Sequence, residues 1–503
     1  MDQMRHLRLE PPVRSLLAKL AAFFSSRGAE AYAAGGFLRD ALLGLPVHDI
    51  DVVTTADPLT LAPELASAFQ AHWFPLDEER RLVRVLLAEP DLHLDLQPQR
   101  GGIEADLMRR DYTIDAMAAL LPEAAADTVS VLDPTGGLAD LEAGQVRAVT
   151  EDALQDDPLR LLRGVRLAAQ LDFRIEPATA GTIRRYAALI STVASERQRD
   201  EMVRILSTVR AGRGLRLLDE VGLVPHIFPE MEPARGAQQP KEHYWDVLGH
   251  SLAAVDALDA LLAPKEPPNE PARPLWRDVW STLGWWQGAA QYLAEEVAPG
   301  STRASILKLA GFLHDIGKPA TRTFDDTGRM RFFGHQHVGA NVAADLMRRL
   351  RFSSRETAMV RAMVAAHLRP VQMAQQGPPT RRAIYRFFRD TGEAGIETLL
   401  LSLADHLATV GPRLNPNGWR QHVALVSYIL EKRFADAGVV SPPKLLGGDE
   451  LMAALGLSPG PLVGRLLEAV REAQAAGEVR TTQEALALAA RLAAEPGSPD
   501  QPR

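Results

Sequence analysis

The 503-residue chain contains no cysteine. Disulfides, thiolate metal sites and cysteine nucleophiles are therefore excluded. Apolar runs are short, and none reaches the about 18 residues needed to cross a bilayer. The N-terminus, MDQMRHLRLEPPVRSLL, lacks the apolar core and small-residue cleavage site of a secretory leader. These absences predict a cytoplasmic protein without a membrane partner. Positive charge is also in deficit, with 56 Lys+Arg against 64 Asp+Glu and a net charge of −8. A polyanionic partner must therefore find a local basic surface. What is present is the balance of an ordinary globular protein, 46% hydrophobic and 24% charged, which excludes a disordered or collagen-like chain. The length suggests roughly three domains.

The first 150 residues read as mixed α/β. A short strand runs into Gly35-Gly36, a helix follows over 37–43, and Gly44 and Pro46 stop it. Further strands are predicted over 49–54, 81–88, 92–97 and 129–132. From Asp156 onward apolar residues recur at helical spacing, which predicts a mostly helical remainder. The segment 263–274, APKEPPNEPARP, reads as a linker that cannot be regular helix. It leads to Trp276, Trp280, Trp285 and Trp286, whose spacing fits a buried helix or a stacking platform for bases; we read core packing. A second break falls near Ser441-Pro442-Pro443. Two or three Ala/Leu-rich helices follow, then a frayed polar tail, GSPDQPR.

Asp49 and Asp51 flank Ile50 in a β-branched run, so strand alternation puts both carboxylates on one face. Such a pair repels itself unless a divalent cation neutralises it, and oxygen ligands suit Mg²⁺. Asp95, in LHLDLQ, can add a third carboxylate from a neighbouring strand. Upstream, Gly35-Gly36 lets backbone approach a ligand, and the following helix offers N–H groups to a triphosphate, with Arg39 adding charge.

The run Gly35-Gly36-Phe37-Leu38-Arg39-Asp40 followed by Asp49-Ile50-Asp51 closely resembles the catalytic head of class II tRNA nucleotidyltransferases and bacterial poly(A) polymerases. The resemblance continues in order over about 170 residues. Residues 109–117, RRDYTIDAM, resemble the ribose-reading motif, with Arg110 and Asp111 holding a ribose hydroxyl. Residues 133–137, DPTGG, through Asp140-Leu141 resemble the hinge motif. Residues 156–160, DDPLR, resemble the base-reading motif, and Glu196-Arg197 with Glu201 its supporting helix. Asp157 and Arg160, three apart, should share one helical face and meet the edge of cytosine or adenine. Asp115 stands where that family usually has asparagine, and Asp156 where it has glutamate. The stretch 95–109, DLQPQRGGIEADLMR, is shorter than the family's usual connection with its flexible loop. In that family, loss of the loop accompanies enzymes that add only two cytidines.

Between Asp157 and Arg216 lie twelve arginines, no lysine and six acids, a local net of +6. Arg160, Arg163 and Arg166 form a stripe that could hold an RNA backbone. Further on, His250, then His314-Asp315 at a helix end, then Asp405 follow an order that resembles the HD phosphohydrolase superfamily. Its imidazole and carboxylate donors suit Ni²⁺, Mn²⁺, Co²⁺ or Fe²⁺. His335, His337 and His367 fall where two-metal members carry extra ligands, and His335 and His367 should face the same cavity. The run 447–464, GGDELM through PGPLVG, resembles the tail of the HD-bearing subfamily and could be an RNA contact or a helix cap.

The resemblances imply an α+β chain: a polymerase-β-like nucleotidyltransferase head (1–150), a helical neck with the base-reading motif (151–240), an HD domain (241–440) and a helical tail (441–503). Asp49, Asp51 and Asp95 are the expected catalytic residues, with Mg²⁺ on the first two. Gly35, Gly36, Arg39, Arg110, Asp111, Asp157, Arg160 and Arg163 are expected to bind nucleotide. His250, His314, Asp315, His335, His367 and Asp405 are expected to bind the second metal. The expected activity is CCA addition to the 3′ end of tRNA from CTP and ATP, with phosphoester hydrolysis at the HD site. The alternatives are CC addition alone, a poly(A) polymerase, and an HD phosphohydrolase with an RNA-binding head.

Overall fold

A computed structural model describes residues 3–47, 49–88, 92–126, 128–268, 272–435 and 442–494. The chain forms two compact units, Met1–Glu201 with Leu217–Ile227, and Met202–Arg216 with Phe228–Arg503. The fold is α+β, with a β-sheet head followed by helical parts.

The first unit holds β1 (Gln3–His6), β2 (Ala31–Ala34), β3 (Asp49–Thr54), β4 (His72–Asp77), β5 (Leu82–Leu87), β6 (Leu92–Pro98), β7 (Ala118–Leu120) and β8 (Thr128–Val131). Six of them make one sheet in the order β4-β5-β6-β3-β2-β7. Within this sheet only the β3–β6 pair is parallel. The expected strands appear within a residue or so of their sequence bounds, with two refinements. Strand β2 ends at Ala34, and the helix Gly35–Leu43 takes up both glycines. Strands β4 and β7 escaped the periodicity reading. β4 is an edge strand with little burial alternation and a proline at 75, the place where a strand tolerates proline; β7 is three residues long.

After Asp156 the described residues are helical apart from strands of two or three residues. The base-reading segment departs from expectation. Asp157 is not on a helix: it is extended (φ −136°, ψ 95°) in the break between helices Glu151–Asp156 and Leu159–Leu171. Pro158 disfavours helical backbone at the residue before it, so Asp157 and Arg160 do not share a helical face. The arginine stripe does lie on one helix, but its charge is met internally. Arg163 donates to Asp111 at 2.9 Å and Arg166 to Glu201 at 2.8 Å.

In the second unit, Ala272-Arg273-Pro274 begins the helix Ala272–Thr282, so the linker reading ends too late: proline is tolerated in a first turn. Trp276 and Trp280 are half-buried and donate their indole N–H to the carbonyls of Ala263 and Leu261. Trp286 is buried, whereas Trp285 is exposed. Three tail helices, Gly448–Leu455, Pro461–Ala476 and Thr482–Ala494, share their own apolar core around Leu451, Leu466, Val470 and Ala485. The Glu450 carboxylate accepts the Gly447 N–H at 2.7 Å, the geometry of a helix cap. Ser441 and the tail 497–503 lie outside the described residues.

Two substitutions probe the head. A Cβ at Gly137 would overlap the Thr113 carbonyl, so Gly137→Ala should cost about 1–3 kcal/mol by overpacking, seen as a lower Tm for the first unfolding transition. Burial alone would raise the Asp111 carboxyl, but Arg163 and Arg160 hold it below the ordinary range. Arg163→Ala should therefore cost about 3–5 kcal/mol by stranding a buried charge. The wild-type contribution of Asp111 should be present at neutral pH and lost as pH falls through its depressed value; melting curves of the two proteins should converge at acid pH.

Candidate functional site

In the head, the β3–β6 register sets Asp51 opposite Asp95, and the β5–β6 register sets Asp95 opposite Arg84. Asp49 is exposed, Ile50 is fully buried and Asp51 is half-buried, so alternation delivers the two carboxylates to one face. Burial, and then the neighbouring Asp49 charge, push Asp51 up to about 7. Burial and Asp49 thus outweigh the nearby Arg110, and three hard oxygen donors at one place suit Mg²⁺. Asp95 is already held by the Arg84 fork at 2.7 and 2.6 Å.

Gly35 has φ +67°, and a Cβ there would come within 2.8 Å of Asp51 Oδ2 and 2.7 Å of Arg110 Nη1. Only glycine lets this turn lie against both side chains. Arg110 donates to the Asp115 carbonyl at 3.0 Å, while its Nη2 is buried without a hydrogen-bond partner. Such an orphan donor beside Asp51 is suited to a ligand oxygen.

Several expected residues are engaged elsewhere. Arg39 is buried and donates to Asp115 at 2.5 Å and to both Asp40 oxygens at 2.8 and 2.9 Å. The carboxylate at 115, in place of the family's asparagine, thus meets Arg39 with a full charge. Asp111 turns away from Arg110 and accepts from Arg163 and from the Tyr112 N–H. Asp157 accepts from Arg197 at 2.8 Å and Leu159 N–H at 3.2 Å. Arg160 donates to the carbonyls of Ala153 and Arg109 at 3.0 and 3.3 Å.

In the second unit, five helices bring six side chains together. His250 comes from Val247–Leu261, His314-Asp315 from the end of Arg303–Leu313, His335 from the start of His335–Arg349, His367 from the end of Ser354–Ala366, and Asp405 from Gly395–Val410. Gly317 packs so closely on the Gly339 backbone that no Cβ would fit, which seats the His-Asp turn against the His335 helix. His250 Nε2 lies 2.9 Å from His314 Nε2 and 3.1 Å from both Asp315 Oδ2 and Asp405 Oδ1. His314 Nε2 lies 3.3 and 3.5 Å from the same two oxygens. Donors sharing one ion at about 2.0–2.2 Å sit about this far apart. On the other side of Asp315, Oδ1 is 3.4 Å from His335 Nε2 and 3.8 Å from His367 Nε2. Asp315 therefore belongs to two candidate metal groups.

The orientation of the rings fits metal. His314, His335 and His367 place Nδ1 2.8, 2.7 and 2.7 Å from the carbonyl three residues earlier. With Nδ1 protonated, each Nε2 lone pair faces the cluster. Burial opposes charge on His314, yet Asp315 and Asp405 pull it up to about 10, so an entering ion must displace a proton there; burial and His314 push His367 down to about 4. His337 is exposed and does not join.

Lys318 and His243 were missed from sequence. Lys318 Nζ lies 2.6 Å from Asp315 Oδ2, and the three-residue spacing from Asp315 is the signal that could have found it. The His243 ring lies 5.5 Å from that of His250, and burial, then the Lys318 charge, push it down to about 4.

Comparison with known proteins agrees with this division. Residues 31–147 match the poly A polymerase head domain, 172–235 the probable RNA and SrmB-binding site of polymerase A, and 287–410 the HD domain; His250 lies upstream of the last match. The chain is 35% identical to an A-adding tRNA nucleotidyltransferase of Deinococcus radiodurans, covering 92% of this chain and 96% of that protein. It is also 35% identical to a CC-adding tRNA nucleotidyltransferase of Thermus thermophilus, covering 94% and 97%. The fold resembles a Thermotoga maritima CCA-adding enzyme solved with tRNA, at TM-score 0.58 and 20% identity over 98% of this chain and 100% of that one. Both the nucleotidyltransferase and HD families depend on metal. Among the described residues no helix is long and apolar enough to cross a membrane. On identity sustained across nearly its whole length, the chain belongs to the tRNA nucleotidyltransferases of the poly(A) polymerase family and is an enzyme of that type.

Proposed function

We propose that the head adds nucleotides from CTP and ATP to the 3′ end of a cytoplasmic tRNA, and that the HD cluster hydrolyses phosphoesters. The observation that carries the first half is the row Arg84, Asp95, Asp51 across three strands, with Asp49 beside it and Gly35 against it. We assign 1–150 as head, 151–240 as neck, 241–440 as HD domain and 441–503 as tail. Asp49 and Asp51 would hold Mg²⁺, which when bound screens the triphosphate and favours loss of the attacking hydroxyl's proton. The unpaired Arg110 Nη2 is the donor we assign to a ribose or phosphate oxygen. Gly35 admits the triphosphate to the backbone. Asp157 and Arg160 read the base edge, held by Arg197 and by two carbonyls respectively.

A second reading of the same head is addition of two cytidines alone. It is favoured by the passage from β6 (Leu92–Pro98) to the helix Ile103–Leu107, which spans only residues 99–102 and leaves no flexible loop there. Incubating tRNA that lacks its 3′ end with CTP, ATP and both, then reading product lengths, separates the two.

Asp51→Ala should lower incorporation by at least about 100-fold, within the range for losing a group that stabilises transition-state charge, while tRNA binding stays nearly unchanged. Normal incorporation by this variant would sink the assignment. Below about 7 a proton occupies Asp51 and competes with the metal. The Mg²⁺ needed for half-maximal incorporation should therefore rise as the pH is lowered from about 8 to about 6.

At the HD site we assign Ni²⁺, Mn²⁺ or Co²⁺ to His250, His314, Asp315 and Asp405, and a second ion to Asp315, His335 and His367. These residues orient a phosphomonoester or 2′,3′-cyclic phosphate in a position distinct from the head. Hydrolysis of a 2′,3′-cyclic nucleotide should require such an ion and persist in Asp51→Ala. It should vanish when His314→Ala and Asp315→Ala are combined, with nucleotide addition retained. Metal-independent hydrolysis would refute the assignment.

A further inference from the structure

The Asp315 carboxylate faces three sets of partners, and only two of them are histidines. Oδ1 looks toward His335 and His367, whereas Oδ2 looks toward His250 and His314 and also receives Lys318 Nζ at 2.6 Å. Lys318 is 6% exposed. Its ammonium lies 2.6 Å from Gln239 Oε1 and 3.2 Å from His243 Nε2, so the ammonium is held by two hydrogen-bond partners besides its ion pair with Asp315. The lysine is fixed in place rather than swinging in solvent.

We propose that Lys318 is the resident cation of the His250–His314–Asp405 metal position, compensating Asp315 when no ion is present and weakening the ion that enters. This rests on the reading of the cluster as a metal site. A buried carboxylate needs a counter-charge, and the ammonium supplies it. A divalent ion arriving at the same oxygen meets that charge at close range in a medium of low dielectric. The repulsion acts on one position more than the other, because Lys318 sits on Oδ2 and not on Oδ1. One carboxylate is thereby made to hold two ions of unequal affinity, the first exchangeable and the second retained. Lys318 is a positioning residue in this scheme.

The test uses the full chain carrying Asp51→Ala, so that the head does not take metal, with Mn²⁺ titrated calorimetrically and by the EPR signal of the free ion. The parent should bind Mn²⁺ tightly at one position and weakly or not at all at the other. Lys318→Met should tighten the weaker position by about tenfold or more, as expected when a close like charge is removed, and leave the stronger one within about twofold. Lys318→Arg, which keeps the charge, should stay near the parent. If Lys318→Met is too unstable to titrate without metal, the Mn²⁺-induced rise in Tm gives the same comparison and should exceed that of the parent. Unchanged or weaker binding in Lys318→Met, or equal tightening in Lys318→Arg, overturns the proposal. His314→Ala that keeps every Mn²⁺ equivalent would instead overturn the metal reading itself, whatever Lys318 does.

Discussion

Asp315 is 1% exposed and ringed by four imidazoles and an ammonium. Taking a carboxylate that far out of water costs several kcal/mol unless fixed charges and dipoles replace the lost hydration. The Lys318 ammonium, 2.6 Å from Oδ2, and the His314 imidazole, pulled up to about 10, supply that charge. His250, His335 and His367 reach the same carboxylate from three further helices, so the surroundings of one side chain tie four helices together. The same requirement recurs in the head, where Asp111 is met by Arg163 and Glu201 by Arg166. Asp51 is the exception. There burial and the Asp49 charge outweigh the pull of Arg110, the balance expected of a site that a cation completes.

The sequence was informative wherever chemistry followed from local periodicity. Alternation along DIDVVT put Asp49 and Asp51 on one side, and strand pairing then brought Asp95 into line. The order of the histidines and aspartates anticipated a cluster drawn from five helices. Tertiary pairing was not legible. Spacing alone suggested that Arg39 and the stripe at 160, 163 and 166 were open to phosphate, but a spacing rule cannot say which acid a long side chain will reach. Asp157 was misplaced for a local reason that was visible, since Pro158 forbids helix at the residue before it. Lys318 was missed, although its three-residue spacing from Asp315 already offered a charge partner. Strand β4 gave no alternation because it lies at an edge, with neither face well covered.

The neck shows why composition and surface must be kept apart. A local excess of six positive charges suggests a polyanion site, yet counting charges along the chain ignores acids brought in from elsewhere. Arg163 is paired with Asp111, 52 residues away in sequence, and Arg166 with Glu201, 35 away. These arginines therefore tie the helix Leu159–Leu171 to Asp111 and to Glu201. An enzyme of net charge −8 that must approach RNA cannot rely on that stripe for attraction, because each paired guanidinium presents little net field. Its grip on the substrate must come from cations that the fold leaves uncompensated. Binding would then follow salt through those cations while catalysis follows the divalent ion proposed at Asp49 and Asp51, so the two dependences should be separable.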